Sequence, residues 1–515
     1  MKEHVALHHH SNTVSNLLHD YTMFVNTAAR VFIPILMGVL LISLSQPLFG
    51  DDYVGRSQCV NCHEEQVSQW QGSHHDLAMQ PATPETVLGN FDNATYSHFG
   101  VISKFYRRDG QFYVRTDGPD GTLIEYKVKY TFGISPLQQY LVEFPNGKLQ
   151  GLHIAWDSRP ETQGGQHWFH LYPDENITHD DPLHWTGPSQ NWNFMCADCH
   201  STGLVKNYDL DTRSYQTTWS EIDVSCEACH GPGTQHVQWA QREDRDSIDN
   251  GLKVMLNERA EWSINQQTGL AKRVSKPSPM LQVETCGRCH ARRSPLDKDY
   301  QHGRSLLHTH RIQTLQEDLY FPDGQIKDEV YVYGSFIQSK MYTKGVVCSD
   351  CHEPHSLQLR AEGNAVCASC HLQSTFDTEQ HHFHKAGTDG AQCVNCHMPS
   401  RTYMVIDERR DHSFRIPRPD LSDQLGTPDV CTSCHQGRTP DWAASVIKTQ
   451  WGGQAAERPH FGVAIHAGQN GALDAENQLM ALAQNPNQPS IARASAVQLL
   501  QNYISPLSLP TIQAL

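Results

Sequence analysis

Residues 348–371 run Cys348-Ser-Asp-Cys351-His352-Glu-Pro-His355 and then, after eleven residues, Cys367-Ala-Ser-Cys370-His371. The Cys-x-x-Cys-His unit occurs six more times. Before this pair stand Cys59-Val-Asn-Cys62-His63, Cys196-Ala-Asp-Cys199-His200, Cys226-Glu-Ala-Cys229-His230 and Cys286-Gly-Arg-Cys289-His290. After it come Cys393-Val-Asn-Cys396-His397 and Cys431-Thr-Ser-Cys434-His435. These eight motifs, numbered 1 to 8 along the chain, consume all 16 cysteines.

Zinc knuckles, disulfides and redox dithiols also use Cys-x-x-Cys. None of them requires His in the fifth position. With His at about 6% of residues, eight in eight would arise by chance with probability on the order of 10⁻¹⁰. The unit is instead the attachment signature of c-type haem. Its two thiols reach the two vinyl groups of one porphyrin, and the adjoining imidazole reaches the iron as proximal ligand. The sequence therefore predicts eight covalent haems, with His63, His200, His230, His290, His352, His371, His397 and His435 as proximal ligands.

Composition agrees. The chain has 515 residues, of which 38% are hydrophobic, with 35 Gly, 27 Pro and 32 His. Mean hydropathy is -0.55, which excludes a polytopic membrane protein. So little apolar material predicts that cofactors supply part of the packing. The formal charge is -16, with 40 Lys+Arg against 56 Asp+Glu. A surface this acidic argues against nucleic acid, which needs cations to displace phosphate counterions.

Haem attachment to thiols implies export. Arg30 precedes the apolar run Val31–Ser45, which is too short for the roughly 20 residues of a spanning helix and fits a signal-peptide core. Residues 1–50 are thus expected to be a signal peptide or an N-terminal membrane anchor. Cleavage is expected near Ser43-Leu-Ser45 or Gly50, and the long leader before Arg30 keeps the anchor open. The expected location is periplasmic or extracellular.

Motif 1 stands alone in a first segment, 51–98, followed by Trp70-Gln-Gly-Ser-His74-His75. Then 132 residues separate His63 from Cys196. Within 99–190, Val101–Tyr106, Gln111–Arg115 and Leu123–Phe132 read as strands joined by Asp-Gly and Asn-Gly turns. They predict a small antiparallel β insert. Motifs 2 to 8 crowd into 191–440, with first-cysteine separations of 30, 60, 62, 19, 26 and 38 residues. So few residues cannot wrap each porphyrin separately. The expected fold is short α-helices and loops organised by stacked haems. From 441 to 515, Ala475–Gln484, Ser490–Tyr503 and Pro506–Leu515 read as helices that begin a HEAT- or tetratricopeptide-like solenoid. The last of them breaks off without a polar cap, which predicts a longer parent chain.

Of the 32 His, five precede residue 20 and eight lie in motifs, leaving 19. Bis-histidine ligation of all eight irons would use eight of these. The candidate distal ligands are His75 (or His74), His236, His302, His310 (or His308), His355, His384 (or His382) and His412. His355 lies too close to His352 to cross its own macrocycle, so it would serve a neighbour, as would His236. Met341, Met398 and Met404 are thioether alternatives, although Met more often fills cores. Bis-imidazole ligation lowers the potential relative to Met/His, and a six-coordinate iron passes electrons without binding substrate. Arg292 and Arg293 after motif 4 fit haem propionates, or else an anionic substrate.

The stretch Cys229-His-Gly-Pro-Gly-Thr-Gln-His236, the unit Cys-Ser-Asp-Cys-His-Glu-Pro-His and Cys396-His-Met-Pro399 resemble the multihaem superfamily of cytochrome c-552/4 (cytochrome c-554) and hydroxylamine oxidoreductase. Asp323–Tyr331 and Asp411–Pro419 resemble octahaem members with C-terminal helical repeats. The resemblance implies an exported cytochrome that carries electrons along a haem chain. Its redox partners would be other cytochromes or a membrane quinol oxidase module. The family also implies an alternative, an oxidoreductase acting on hydroxylamine, nitrite or tetrathionate at one five-coordinate haem. The Lys that replaces a motif His in nitrite reducers is absent here. A late Tyr cross-links the catalytic haem in hydroxylamine-type members, and only Tyr403 and Tyr503 follow residue 342.

Overall fold

The computed structural model describes residues 52–244, 250–275, 280–452 and 458–514. The expected export segment 1–50 lies outside the described residues. No described helix is long and apolar enough to cross a membrane.

The β region is larger than the small insert expected from sequence. Nine antiparallel strands form one sheet between Met79 and His170. They are β1 (Met79–Pro81), β2 (Ala94–His98), β3 (Val101–Arg108), β4 (Gln111–Asp117), β5 (Leu123–Phe132), β6 (Leu137–Glu143), β7 (Leu149–Gly151), β8 (Ile154–Asp157) and β9 (His167–His170). The order is β2-β3-β4-β5-β6-β8-β9, with β1 beside β5 and β7 beside β6. Strands β3 and β4 follow the period-2 rule, with Phe105, Phe112 and Val114 turned inward. Six of the seven residues of β6 and all of β8 are buried. That removes the alternation by which a half-exposed strand is recognised, so these strands carry no period-2 signature.

The sheet curls until its ends meet. The His170 N–H on β9 donates to the Tyr96 hydroxyl on β2 at 3.1 Å. Inside, Phe91 sits edge-on to Phe105, Phe112, Tyr140 and Trp168, while Phe105 stacks on Trp168 at 3.7 Å. Each such ring contributes about 1.5–3 kcal/mol by burial, and each well-placed pair about 0.5–1.5 kcal/mol more.

The seven later motifs lie on short helical turns among loops and four two-stranded ribbons. Their apolar clusters are small, as the composition requires. One, around Val283, Leu306, Tyr333 and Phe336, backs motif 4. The C-terminal helices expected at 475–484 and 490–503 form over Ala475–Gln484 and Ser490–Leu500, and a last helix runs Leu509–Ala514. Two further helices, Pro440–Trp451 and Phe461–Gln469, precede them. Ile465, Leu479, Ile491 and Leu500 do not pack among themselves alone. They share one core with Leu315, Tyr320, Ile326 and Tyr403 from the motif region.

His153 and His170 lie in the sheet, away from any motif. Burial, reinforced by neighbouring imidazoles, pushes His153 down to about 3 and His170 down to about 4. The unfolded chain binds these protons near pH 6.5, so stability is full above that pH and falls as pH drops toward 4. The melting temperature should fall between pH 7 and pH 5. The substitution His153→Gln should flatten that slope, and an unaltered slope in the variant would refute the assignment.

Candidate haem-attachment sites

Each motif forms a tight turn for a local reason. Cysteines three residues apart lie on one face of a helical turn. The turn closes where the His N–H, or the second Cys N–H, donates to the first Cys carbonyl. His63 to Cys59, His352 to Cys348, His371 to Cys367 and His435 to Cys431 do so at 2.9–3.0 Å. Two motifs are capped by their own acids. Asp429 accepts from the Cys431 and Thr432 N–H groups, and Asp350 accepts from the Val347 N–H.

Side chains within the motifs bind them to one another. Glu227, between the two cysteines of motif 3, is buried. Its carboxylate accepts from the N–H groups of Val54 (2.9 Å) and Gly55 (2.8 Å) ahead of motif 1, and of Gly233 (2.7 Å). Asp198 of motif 2 pairs with Arg288 of motif 4 at 3.1 Å and with Arg293 just beyond it at 2.6 Å. His310, and then the Arg288 and Arg293 charges, hold the Asp198 carboxyl far below the usual carboxylate range despite its burial. Arg293 is thus committed to protein, whereas Arg292 only touches the Glu329 carbonyl at 3.4 Å.

The histidines separate by what their ring nitrogens meet. A ligating imidazole nitrogen lies about 2 Å from its metal, so the ring centroids of two trans imidazoles stand about 6 Å apart. Among the described residues four pairs of a motif His with another His have this spacing. They are His63 with His236 (6.1 Å), His290 with His75 (6.2 Å), His397 with His381 (6.2 Å) and His435 with His384 (5.9 Å). A haem-ligating His commonly engages its other nitrogen with a carbonyl or carboxylate, which fixes the tautomer. His236 Nδ1 meets the Asn250 carbonyl at 2.7 Å, and His397 Nδ1 meets that of Arg415 at 2.7 Å. His412 Nδ1 meets the Arg410 carbonyl at 2.9 Å, His384 Nδ1 meets that of His382, and His355 Nδ1 meets the Glu353 carboxylate at 3.0 Å. In each case Nε2 is left for another partner.

The remaining candidates fall on both sides of this test. His355, like His63 and His236, lies within electrostatic range of buried His230, and His412 lies within such range of His290 and His352. His302 is packed against Gly231 of motif 3, and neither of its ring nitrogens has a hydrogen-bond partner. His310 has both nitrogens engaged, one with Thr309 at 2.9 Å and one facing Asp198 at 3.9 Å. His382 faces Asp377 at 3.8 Å, and His74 and His308 are exposed. His381 was not singled out by sequence; two adjacent His obscured which of 381–384 would point at a motif. Met404 fills apolar core, as do Tyr403 and Tyr503. Burial pushes His75, His200, His230, His302 and His381 down to about 4. They are therefore neutral at pH 7, which is the form that binds iron.

The residues present fit c-type haem better than the rival uses of Cys-x-x-Cys. All 16 thiols are free. Among the described residues no three His, Cys, Asp or Glu converge on a point that could hold a metal ion, so no zinc knuckle is assembled.

The comparisons agree with this reading. The family model described as doubled CXXCH motif matches residues 340–375, and that of cytochrome c554 and c-prime matches 58–93 and 175–231. No curated protein matches the chain. Among solved structures, the outer cell wall cytochrome OcwA is similar at 19% identity and TM-score 0.50, over 87% of this chain and 98% of its own. An undecahaem cytochrome from the S-layer of Carboxydothermus ferrireducens matches at 15% identity and TM-score 0.38, over 93% of this chain and 70% of its own.

Replacing Glu227 tests the inter-motif stapling. Glu227→Ala removes three hydrogen bonds to a buried carboxylate and should cost about 3–5 kcal/mol, measured by denaturant unfolding of the holoprotein. A loss below about 1 kcal/mol would mean that Glu227 does not hold motif 1 to motif 3. By its attachment motifs and its two partial family matches the chain resembles multihaem c-type cytochromes, and its fold is similar to that of OcwA.

Proposed function

We propose that the chain is an exported octahaem cytochrome that conducts electrons between redox partners through mostly bis-histidine haems. The observation that carries this is the set of four imidazole pairs at 5.9–6.2 Å, each joining a motif His to one outside the motifs. The proposed axial pairs are His63/His236, His290/His75, His397/His381 and His435/His384, with His230/His355 and His352/His412 completed by neighbour relations. Haem supplies the one-electron chemistry. The chain's own residues keep His75, His230 and His381 neutral by burial and fix the tautomers of His236, His397 and His384 through their Nδ1 contacts.

Periplasmic or extracellular placement follows from haem attachment and from the export segment expected in 1–50. The outer cell wall position of the similar cytochrome OcwA supports the extracellular choice. Its partners would be other cytochromes or a membrane quinol oxidase module. Membership of the hydroxylamine oxidoreductase superfamily and solenoid repeats beyond 441 remain parts of the same proposal.

A second reading, an oxidoreductase for a small nitrogen or sulfur compound, draws on motifs 2 and 6. The His200 ring meets Phe132 at 4.4 Å, and the His371 ring meets Phe376 at 5.4 Å. A motif whose imidazole has no opposed partner leaves an iron position for substrate.

Protein from a host able to mature c-type cytochromes should give eight haem equivalents in a pyridine haemochrome assay. Its ferric EPR spectrum should be low-spin for at least six of them. High-spin signal that shifts with nitrite or cyanide would replace the pure conductor with the second reading. His381→Ala should convert one low-spin centre to high-spin without changing the haem count, and His236→Met should raise one potential.

A further inference from the structure

We infer that seven of the eight motifs form a single line in the order 1–3–4–5–6–7–8, with motif 2 as a side branch on motif 4, and that motifs 1 and 8 are the electron ports. The inference rests on the haem reading of the motifs and adds the order in space, which chain order does not contain.

Every step of the line has its own contact. Motif 1 joins motif 3 through Glu227, which grips the backbone at Val54 and Gly55, and through the thiols of Cys59 and Cys226, which are in hydrogen-bond contact. Motif 3 approaches motif 4 through His302, which is packed against Gly231 just after motif 3 and meets Tyr300 at 5.0 Å, while the Arg288 guanidinium of motif 4 lies 4.4 Å over the Tyr300 ring. Motif 4 joins motif 5 through Gln282, whose side-chain oxygen accepts from the Ser349 N–H at 2.8 Å, and through Cys286 against Cys348.

The next step is made by the hairpin of strands Trp262–Ile264 and Ala271–Arg273. The Trp262 indole N–H donates to Asp350 of motif 5 at 3.3 Å, and the Ala271 N–H donates to the Cys370 carbonyl of motif 6 at 2.9 Å. Motif 6 joins motif 7 through Asn364, which precedes the helix carrying Cys367 and accepts from the Cys393 N–H at 2.9 Å. The Cys367 and Cys393 thiols are themselves in contact. Motif 7 joins motif 8 by direct packing of helix Cys393–His397 on helix Val430–Cys434.

Motif 2 is attached differently. Asp198 ties it to Arg288 and Arg293, and the Cys199 thiol meets that of Cys289, so its motif neighbour is motif 4. Its other side is closed by the sheet, where Ala197 is packed with Met79, Leu141, Leu149 and Trp192. A position walled by protein in this way suits a branch. Exposure marks the two ends independently. Of the 16 cysteines only Cys62 of motif 1 and Cys434 of motif 8 are exposed.

The test is a crystal structure of the holoprotein with an anomalous difference map at the iron edge. Iron nearest neighbours should follow 1–3–4–5–6–7–8, with the iron beside His200 closest to that beside His290. An iron at His200 lying within the line, or irons at motifs 1 and 8 in the interior, would overturn the order. Fewer than eight iron peaks, matched by a low haemochrome count, would instead overturn the haem reading itself. As a kinetic arm, paired Cys286→Ser and Cys289→Ser should leave seven haems and abolish electron transfer from a reduced donor to a ferric acceptor. Retained transfer in this variant would overturn the line through motif 4.

Discussion

The motif region is organised around imidazoles held opposite one another at a spacing of about 6 Å. Such a pair cannot be stabilised by its own contact, since neutral rings at that distance attract one another weakly. It is held from behind. The Asn250 and Arg415 carbonyls engage the Nδ1 atoms of His236 and His397, and so aim their Nε2. Burial completes the arrangement by keeping His75 and His381 unprotonated. The protein thus invests its hydrogen bonds in orientation, and in the proposed reading the iron supplies the bond that closes each pair.

This constraint explains why the motif region has no large apolar core. Few motif residues are free to face an apolar interior, Ala197 on the sheet side being an exception, and the motifs follow one another closely from Cys196 to His435. Stapling is therefore polar and local. Glu227, Asp198, Gln282 and Asn364 each reach from one motif segment to the next, three of them to backbone N–H groups. Hydrogen bonds to buried charged or amide groups carry a large penalty when broken. A scaffold built on them tolerates little slippage between neighbouring motifs, and spacing between redox centres is what an electron carrier must conserve.

The sheet and the C-terminal helices answer the same problem from the outside. The sheet buries Phe91, Phe105 and Trp168 in an aromatic core of its own and presents Met79, Leu141 and Leu149 to motif 2. The helices from Phe461 to Leu500 close over Leu315, Tyr320 and Tyr403. Conventional apolar packing is thereby placed at the flanks of a region that cannot supply it.

The sequence alone determined the chemistry. Fifth-position His in all eight Cys-x-x-Cys units points to haem because covalent attachment is a local act, written in five consecutive residues. Strands β3 to β5 were equally legible, since each alternates and is bounded by turn residues. The tertiary structure decided what depends on distance. It made His310 a partner of Asp198 and Thr309, and it set His381 opposite His397. It also extended three strands into nine, because β6 and β8 are buried on both faces and carry no alternation to read. It put motif 3 beside motif 1, because Glu227 finds its donors more than 170 residues away. A ligand, a buried strand and a neighbour are each defined by what lies across a gap, and no pattern within one segment of chain records that.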